Sequence, residues 1–185
     1  MVEDDRLRTD ARLNRDRILD VARDALAADP NASLNLIGKT AGVGAGTLYR
    51  HFPSREALVL AVYRKEIDAL VALAPQLLND HPPLAALRLW CDRGAQFARM
   101  KRGMADTLQA VISDQDFQET YRPIVQAVGD LMKACEGAGD IRPGINPEDV
   151  LALMSCLWRL PPTAAGEDQA KRILGLIFRG LGARD

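Results

Sequence analysis

Residues 40–58 of the chain have the sequence TAGVGAGTLYRHFPSREAL, and this stretch decides how the rest of the chain is interpreted. Its first half contains Gly42, Gly44 and Gly46, three glycines within five residues. Clustered glycines are typical of a loop that holds a nucleotide phosphate, and glycine is also common in the turn of a helix-turn-helix motif. The first interpretation predicts a nucleotide-binding protein and the second a DNA-binding protein, and the flanking residues distinguish them.

A nucleotide-binding loop would need surroundings that this sequence lacks. The dinucleotide-binding loop follows a hydrophobic strand inside a βαβ unit, whereas residues 33–41, SLNLIGKTA, favour a short helix. A P-loop ends in Gly-Lys-Ser or Gly-Lys-Thr, whereas Gly46 is followed by Thr47 and Leu48. The sequence therefore argues against a phosphate loop.

A helix-turn-helix accounts for the same residues better. Gly42 lies where two short helices must meet at a sharp angle, and glycine accepts a positive φ without steric cost. The ionised side chains of residues 39–55 are all basic, at Lys39, Arg50 and Arg55, although the net charge of the chain is −1. Donors suited to phosphate oxygens accompany them at Thr40, Thr47, Tyr49 and His51. The alternative is a solvated turn with incidental charges.

Apolar residues recur at helical spacing through the whole chain, and strand alternation is nearly absent. Ser33 and Ser54 are predicted helix N-caps, Pro75 is expected to kink or fray the long helix that follows Ser54, and Asn146 with Pro147 is a further helix start. The predicted helices cover about residues 12–28, 33–41, from the glycines to 52, 55–78, 84–100, 103–112, 117–138, 146–160 and 167–181. The sequence thus predicts an all-α fold of about nine helices.

Composition restricts the class of protein. A chain of 185 residues that is 48% hydrophobic and nearly neutral suits one domain, or a small domain fused to a larger one, with local rather than general affinity for DNA. Cys91, Cys135 and Cys156 are widely spaced and odd in number, which favours buried thiols in a reducing cytoplasm over disulfides or a metal clip. The sequence contains neither a signal peptide nor an apolar run of the roughly 20 residues that span a bilayer. We therefore expect a soluble cytoplasmic protein with no cofactor and no metal.

The motif and its surroundings are similar to a known family. Residues 41–63, AGVGAGTLYRHFPSREALVLAVY, preceded by RDRILDVARDALAADPNASLNLIGKT, resemble the N-terminal domain of the TetR family of bacterial transcriptional repressors over about residues 12–63. The segments KRGMADTL, IRPGINPEDVLALMSCLW and KRILGLIFRGL resemble an actinobacterial-type ligand-binding domain of that family. The resemblance implies a three-helix DNA-binding domain at residues 1–57, with a connecting helix from residue 55, and a helical ligand-binding and dimerisation domain at residues 58–185.

The resemblance also implies which residues meet DNA. On this basis Thr47, Tyr49 and His51 contact DNA, and Tyr49, His51 and Arg55 meet phosphates. From the residue types we further predict that Thr47 contacts a thymine methyl group and that Arg50 reads a guanine or contacts a phosphate. The complete predicted set of DNA-binding residues is Lys39, Thr40, Ala45, Gly46, Thr47, Tyr49, Arg50, His51 and Arg55. The sequence departs from the family at Leu36, Gly38, Gly44 and Ala45. Because residues 44–46 carry so little side chain, direct base contacts at the tip of the recognition helix are expected to be sparse.

The last two predicted helices carry apolar residues over a wide arc. An arc of this width can cover the core of one subunit and a partner subunit at once, as in a four-helix interface, and the alternative is complete burial within a monomer. The predicted dimer interface consists of Leu151, Met154, Leu157, Trp158, Ile173, Leu174, Ile177, Phe178 and Leu181.

The middle helices supply candidate walls for a pocket. Aromatic and methionine side chains make adaptable apolar surfaces that suit hydrophobic ligands, although ordinary core packing explains the same residues. The predicted ligand-binding set is Trp90, Gln96, Phe97, Met100, Arg102, Met104, Phe117, Tyr121 and Met132, with Gln96 and Arg102 as the polar anchors.

The sequence therefore predicts a transcriptional regulator rather than an enzyme. Its two histidines, His51 and His81, occupy unlike positions, and neither a Ser-His-Asp set nor an HExxH motif is present. The expected protein is a homodimeric repressor that binds a palindromic operator in double-stranded DNA and leaves it when a small, largely hydrophobic effector binds. A transcriptional activator, or a DNA-binding regulator that senses no ligand, is the alternative.

Overall fold

The computed structural model describes residues 2–102, 104–161 and 163–183, without the side chains of residues 2–10, 99, 114 and 117. These residues form nine α-helices, one 3₁₀ helix and no strand, which confirms the predicted all-α class. The helices are α1 (Val2–Ala28), α2 (Leu34–Thr40), α3 (Ala45–His51), α4 (Arg55–Asp80), α5 (Pro83–Arg102), α6 (Ala105–Val111), α7 (Asp114–Ala138), α8 (Pro147–Met154), the 3₁₀ helix Ser155–Arg159, and α9 (Ala164–Leu181).

The chain folds into two compact units. The first contains α1 to α3, the beginning of α4 as far as Lys65, and α6. The second contains α4 from Glu66 onward, α5, and the chain from Ser113 onward. Each unit therefore combines segments that are distant in the sequence, and α4 contributes to both.

The first unit is built around apolar side chains from α1, α2, α3 and the residues just before α4. Ile18 of α1, Ile37 of α2, Leu48 of α3 and Phe52 are all at most 2% exposed. The predicted cap at Ser33 is present, since its hydroxyl accepts the backbone N–H of Leu36 at 3.1 Å. These contacts fix α2 and α3 on a common core.

The second unit is a helical bundle in which α5 packs against α7, α9 and the 3₁₀ helix. Trp90 of α5 is fully buried, and its indole Nε1–H donates to the backbone carbonyl of Leu70 at 2.9 Å. Glu66 is 5% exposed and accepts a hydrogen bond from Arg93 at 2.7 Å, so its charge is paired inside the unit. None of the helices described combines the length and apolar character that a membrane span requires.

Helix boundaries differ from the sequence prediction at several places, including the start of α9 at Ala164 instead of about residue 167. α1 begins at Val2 instead of about residue 12, and α7 begins at Asp114, after a capping box formed by Ser113 and Asp116. α4 continues through Pro75 to Asp80, with Leu70 and Ala74 buried and Pro75 exposed. The helix that starts at Pro147 ends at Met154 and continues as the tighter 3₁₀ helix.

Candidate nucleic-acid interface

The turn between α2 and α3 has the geometry of a helix-turn-helix. Gly42 has φ +67°, a conformation that side-chain-bearing residues rarely adopt. The N–H of Val43 donates to the carbonyl of Gly38 at 3.0 Å and closes the end of α2. Gly44 then occupies the N-cap of α3, and its carbonyl accepts the N–H groups of Thr47 and Leu48 at 3.0 Å each. The chain therefore reverses over Gly42 and Val43 and immediately begins α3.

Close packing of α2 on α3 explains one departure from the family pattern. Gly38 is buried, and a Cβ placed on it would lie 3.1 Å from Cδ2 of Leu48, which is itself fully buried. This separation is tighter than ordinary van der Waals contact. Glycine at position 38 thus lets Leu48 seat directly on the backbone of α2.

α3 presents a sparse and cationic surface to solvent. Ala45, Gly46, Tyr49 and Arg50 are exposed, and a Cβ placed on Gly46 would meet nothing within 4 Å. Thr47 and His51 are half-buried on the same helix, and Lys39 and Thr40 are exposed on α2. The predicted DNA-binding residues of α2 and α3 thus lie on the helices that form the turn, and each is at least partly exposed.

Residues 30–55 contain no carboxylate side chain, so every charge of this surface is positive. Glu56, in the first turn of α4, is the next acidic residue. Hydrogen bonds from its own backbone N–H and from Ser54 hold the pKa of the Glu56 carboxyl below its usual value. Its negative charge therefore lies at the N-terminus of α4, where it interacts favourably with the positive end of the helix dipole.

Arg50 folds back along its own helix. Its Nε–H donates to the carbonyl of Gly46 at 3.2 Å, and its Nη2 donates to Oγ1 of Thr47 at 3.2 Å. The guanidinium therefore lies toward the N-terminal end of α3, beside the residues that have almost no side chain.

Arg55 has partners inside the first unit. Its Nη1 donates to the carbonyl of Ala32 at 2.5 Å, and its Nη2 donates to the carbonyl of Pro30. Both carbonyls belong to the turn between α1 and α2, so the first residue of α4 ties this turn in place. The phosphate contact assigned to Arg55 stays a prediction. The structure adds a second role for Arg55, which is to hold the turn between α1 and α2, and the sequence alone does not indicate these hydrogen bonds.

The predicted dimer residues divide into two groups. Leu157, Leu174, Phe178, Leu181, Met154 and Ile177 are at most 7% exposed, within a single chain. Leu151 and Ile173 are half-buried, and Trp158 is 38% exposed. Phe178 also packs under the guanidinium of Arg88, which lies 4.5 Å from the ring centroid. Most of the set therefore forms the core of the second unit.

Residues that the sequence reasoning missed carry the exposed apolar surface of α8 and α9. Leu153 is 58% exposed and Leu176 is 60% exposed. Both line a groove of about 700 Å³, which we call the α8–α9 groove. The other lining residues are Arg142, Pro143, Ile145, Asp149, Val150, Cys156, Ile173, Ile177, Gly180 and Leu181. Leu153 and Leu176 belong to the same wide apolar arcs of the last two helices, and this pattern could have identified them from the sequence.

The predicted ligand-binding residues are mainly buried. Trp90, Phe97, Met100, Met104 and Met132 are at most 9% exposed, Tyr121 is half-buried, and Gln96 and Arg102 are exposed. Met104 belongs to the first unit and the others to the second, while the Phe117 side chain lies outside the described part of the chain.

Arg102, one of the two predicted anchors, has backbone partners. Its Nη1 donates to the carbonyl of Leu160 at 2.8 Å, next to the C-terminus of the 3₁₀ helix. A separate cavity of about 390 Å³ in the second unit lies between α4 and α7, with Val71, Ala74, Leu78 and Ala127 among its walls. None of the predicted ligand residues lines this cavity.

Two of the three cysteines are buried in the second unit. Burial, with a smaller effect of Asp92, raises the pKa of the Cys91 thiol to about 12. Burial, followed by Asp140, raises the pKa of the Cys135 thiol to about 11. Cys156 is exposed. Among the residues whose side chains are described, no three His, Cys, Asp or Glu side chains lie close enough together to hold a metal ion.

Comparison with known proteins extends these observations to the whole chain. Residues 18–62 match the family described as "Bacterial regulatory proteins, tetR family", and residues 82–183 match "Transcriptional regulator SbtR-like, C-terminal domain". A TetR transcriptional regulator from Streptomyces coelicolor shares 39% identity and a TM-score of 0.80, over 90% of this chain and 97% of that one. A TetR regulatory protein from Mycobacterium vanbaalenii shares 31% identity and a TM-score of 0.77, over 95% and 98%.

A curated relative agrees with these solved structures. An HTH-type transcriptional regulator from Staphylococcus aureus is 28% identical over 133 residues, which cover 69% of this chain and 72% of that protein.

Proposed function

The chain belongs to the TetR family of bacterial transcriptional regulators, with a helix-turn-helix for DNA binding, and from this premise we propose that it is a homodimeric repressor. In this proposal each subunit places α3 in the major groove of a palindromic operator. A small, largely hydrophobic effector then releases the dimer from DNA.

The single observation that carries the proposal is the solvent-facing surface of α2 and α3. It offers cations at Lys39 and Arg50 and hydroxyl groups at Thr40, Thr47 and Tyr49, without one carboxylate between residues 30 and 55. Cations and hydroxyl groups are the groups that bind phosphate oxygens and position a protein on a duplex. A protein with a net charge of −1 needs such a local concentration of positive charge to approach DNA.

Dimer formation is supported by the α8–α9 groove. Leu153 and Leu176 expose large apolar surfaces there, and contiguous exposed apolar surface marks interaction sites. A second copy of the same two helices provides a matching apolar face for a two-fold interface. Two recognition helices then read half-sites about 34–36 Å apart, or a multiple of that distance.

Release by a ligand is proposed through α4. This single helix runs from Arg55, next to the DNA-binding helices in sequence, to Asp80 in the second unit. A ligand that favours one tilt of α4 would change the separation of the two recognition helices. Only a difference in affinity for the two states can do this, and moving the population from 1:99 to 99:1 takes about 5.5 kcal/mol. An activator, or a regulator that senses no ligand, would use the same DNA-binding surface.

Footprinting of the DNA that flanks the gene of this protein tests the proposal. We expect a protected palindrome, and loss of protection when an effective compound from a panel of hydrophobic metabolites is added. Tyr49→Phe serves as the control for a phosphate contact and should weaken binding about equally at all sites. Absence of any sequence-dependent footprint would overturn the DNA-binding part, and an operator affinity unchanged by compounds that bind the protein would overturn the sensing part.

A further inference from the structure

We propose that Arg50 is the base-reading residue of α3, that it reads a guanine, and that the hydroxyl group of Thr47 is its positioning residue. The inference rests on the proposed operator binding and deepens it, because it identifies the group that supplies sequence preference. It is carried by the two hydrogen bonds that hold the Arg50 guanidinium against its own helix.

The first step is where the guanidinium lies. Arg50 is in the last turn of α3, yet it bonds to the carbonyl of Gly46 and to Oγ1 of Thr47, one turn nearer the N-terminus. In helix-turn-helix proteins the N-terminal residues of the recognition helix contact base edges. The side chain therefore carries its charge to the end of α3 at which bases are read.

The second step is the lack of competing side chains at that end. Gly44, Ala45 and Gly46 offer nothing longer than a methyl group, and none of them has a hydrogen-bonding side chain. The space beside Gly46 is open, since a Cβ placed there would meet no atom within 4 Å. Among the side chains at this end of α3, only Thr47 and the guanidinium of Arg50 can therefore hydrogen-bond to a base edge.

The third step is which donors remain. A guanidinium carries five N–H donors in a planar fork, and the helix engages Nε–H together with one N–H of Nη2. On the adjoining edge of the guanidinium, both N–H groups of Nη1 and the second N–H group of Nη2 remain able to donate to DNA. This edge matches O6 and N7 of guanine, which accept a bidentate contact from arginine in the major groove.

The hydroxyl group of Thr47 thus has a positioning role that is separate from its methyl group. It fixes one edge of a long side chain and reduces the number of rotamers that must be frozen when DNA binds. Thr47 itself is half-buried and belongs to α3, which the fully buried Leu48 anchors in the core. Its own position is therefore well defined. The alternative, a phosphate contact by Arg50, requires neither this fixed edge nor a planar fork.

The test measures base preference at every operator position for the full-length protein and three variants. The operator is first selected from a randomised pool with the wild-type protein. Arg50→Lys keeps the charge and removes the fork, Thr47→Val keeps shape and removes the hydroxyl, and Thr47→Ser keeps the hydroxyl and removes the methyl. Arg122→Lys, on the exposed surface of α7, is the matched control.

We expect Arg50→Lys to lose about 5- to 150-fold of the discrimination for one G·C pair, since a bidentate pair is worth about 1–3 kcal/mol. Thr47→Val should lose about two- to fivefold at the same base pair, as expected for one exposed hydrogen bond. Thr47→Ser should keep the guanine preference, and Arg122→Lys should match wild type. Circular dichroism and thermal unfolding show whether each variant is folded.

Two results would overturn the inference while leaving operator binding intact. One is an Arg50→Lys variant that retains the wild-type preference at every position, which would show that the planar fork of Arg50 does not supply the preference. The other is Thr47→Val and Thr47→Ser variants that both keep full preference at the Arg50-dependent base pair. A wild-type protein that selects no sequence at all would instead remove the proposed function.

Discussion

At the scale of single residues, the glycines of the turn have different tasks although they lie within five positions of each other. Gly42 has φ +67°, whereas Gly46 lies in α3 with open space around its Cα. The positive φ therefore requires glycine at position 42, whereas Gly46 leaves open space on the solvent-facing surface of α3. The same substitution should thus have opposite effects at the two positions.

We predict that Gly42→Ala destabilises the protein and Gly46→Ala stabilises it. An alanine in the left-handed region costs about 1–2 kcal/mol, whereas alanine in a helix is more favourable than glycine by up to about 1 kcal/mol. For a chain of this length, 1 kcal/mol corresponds to about 2–4 °C in the thermal midpoint. Thermal unfolding of the two variants measures the difference, and midpoints that shift in the same direction would contradict the assignment.

Arg55 is predicted to stabilise the first unit even without DNA. Its two hydrogen bonds tie the start of α4 to the carbonyls of Pro30 and Ala32. Arg55→Ala should cost about 1–3 kcal/mol, since hydrogen bonds from charged groups are stronger than neutral ones. Urea unfolding of the free protein tests this, with Arg122→Ala as the control for removing an exposed arginine. A variant that is as stable as wild type but binds DNA weakly would limit Arg55 to a phosphate contact.

At the scale of helices, α5 and α7 pack two thiols into the second unit. Burial raises the pKa of Cys91 to about 12 and that of Cys135 to about 11, from an ordinary value of 9.0. Between these values the unfolded chain releases its thiol protons while the folded chain keeps them. The stabilisation is therefore complete below pH 9 and is lost as the pH rises toward the folded values.

We accordingly predict that stability declines above pH 9 and that the decline is shallower in Cys91→Ala. The substitution also removes a buried sulfur atom, so its stability is lower at all pH values. The slope of the unfolding free energy between about pH 9 and 11, measured in urea, separates the two effects. Equal slopes for wild type and variant would show that the Cys91 thiol does not titrate differently on folding.

Helix starts that carry a capping side chain could be predicted from the sequence, whereas the start of α1 at Val2 instead of about residue 12 could not. Ser33 and Asn146 predict the starts of α2 and α8, because capping is a local interaction between a side chain and the next two or three residues. The sequence also did not predict the continuation of α4 to Asp80 or the change to a 3₁₀ helix after Met154. Neither event leaves a pattern in the neighbouring sequence.

In the candidate DNA-binding surface, too, local features could be predicted from the sequence and side-chain contacts could not. Its residue types and their order could be taken from residues 39–55, because the motif is continuous in the chain. The hydrogen bonds of Arg50 and Arg55 could not, since an arginine side chain reaches several residues in any direction. Apolar arcs on α8 and α9 likewise give no indication of which leucines one chain covers and which it leaves exposed.

At the scale of the whole molecule, a second subunit is required for both halves of the proposed function. One recognition helix makes too few contacts for specific binding at physiological salt, whereas two helices read a palindrome. The core of the second unit already buries Leu157, Leu174 and Phe178, so a partner has to use what remains. Leu153 and Leu176, which line the α8–α9 groove, are among the large apolar side chains that one chain leaves exposed.

We predict that Leu153→Asp or Leu176→Asp converts the dimer to monomers and abolishes operator binding, while each subunit stays folded. Burying one leucine contributes about 1.5–3 kcal/mol, and an unpaired carboxylate in its place adds a desolvation cost. Sedimentation velocity gives the oligomeric state, and Leu89→Asp, at a leucine 42% exposed on α5, is the matched control. Cys156 lines the same groove, so a thiol reagent should label it slowly in the wild-type dimer and rapidly in the variants. A variant that remains dimeric with Cys156 equally protected would place the interface on another surface.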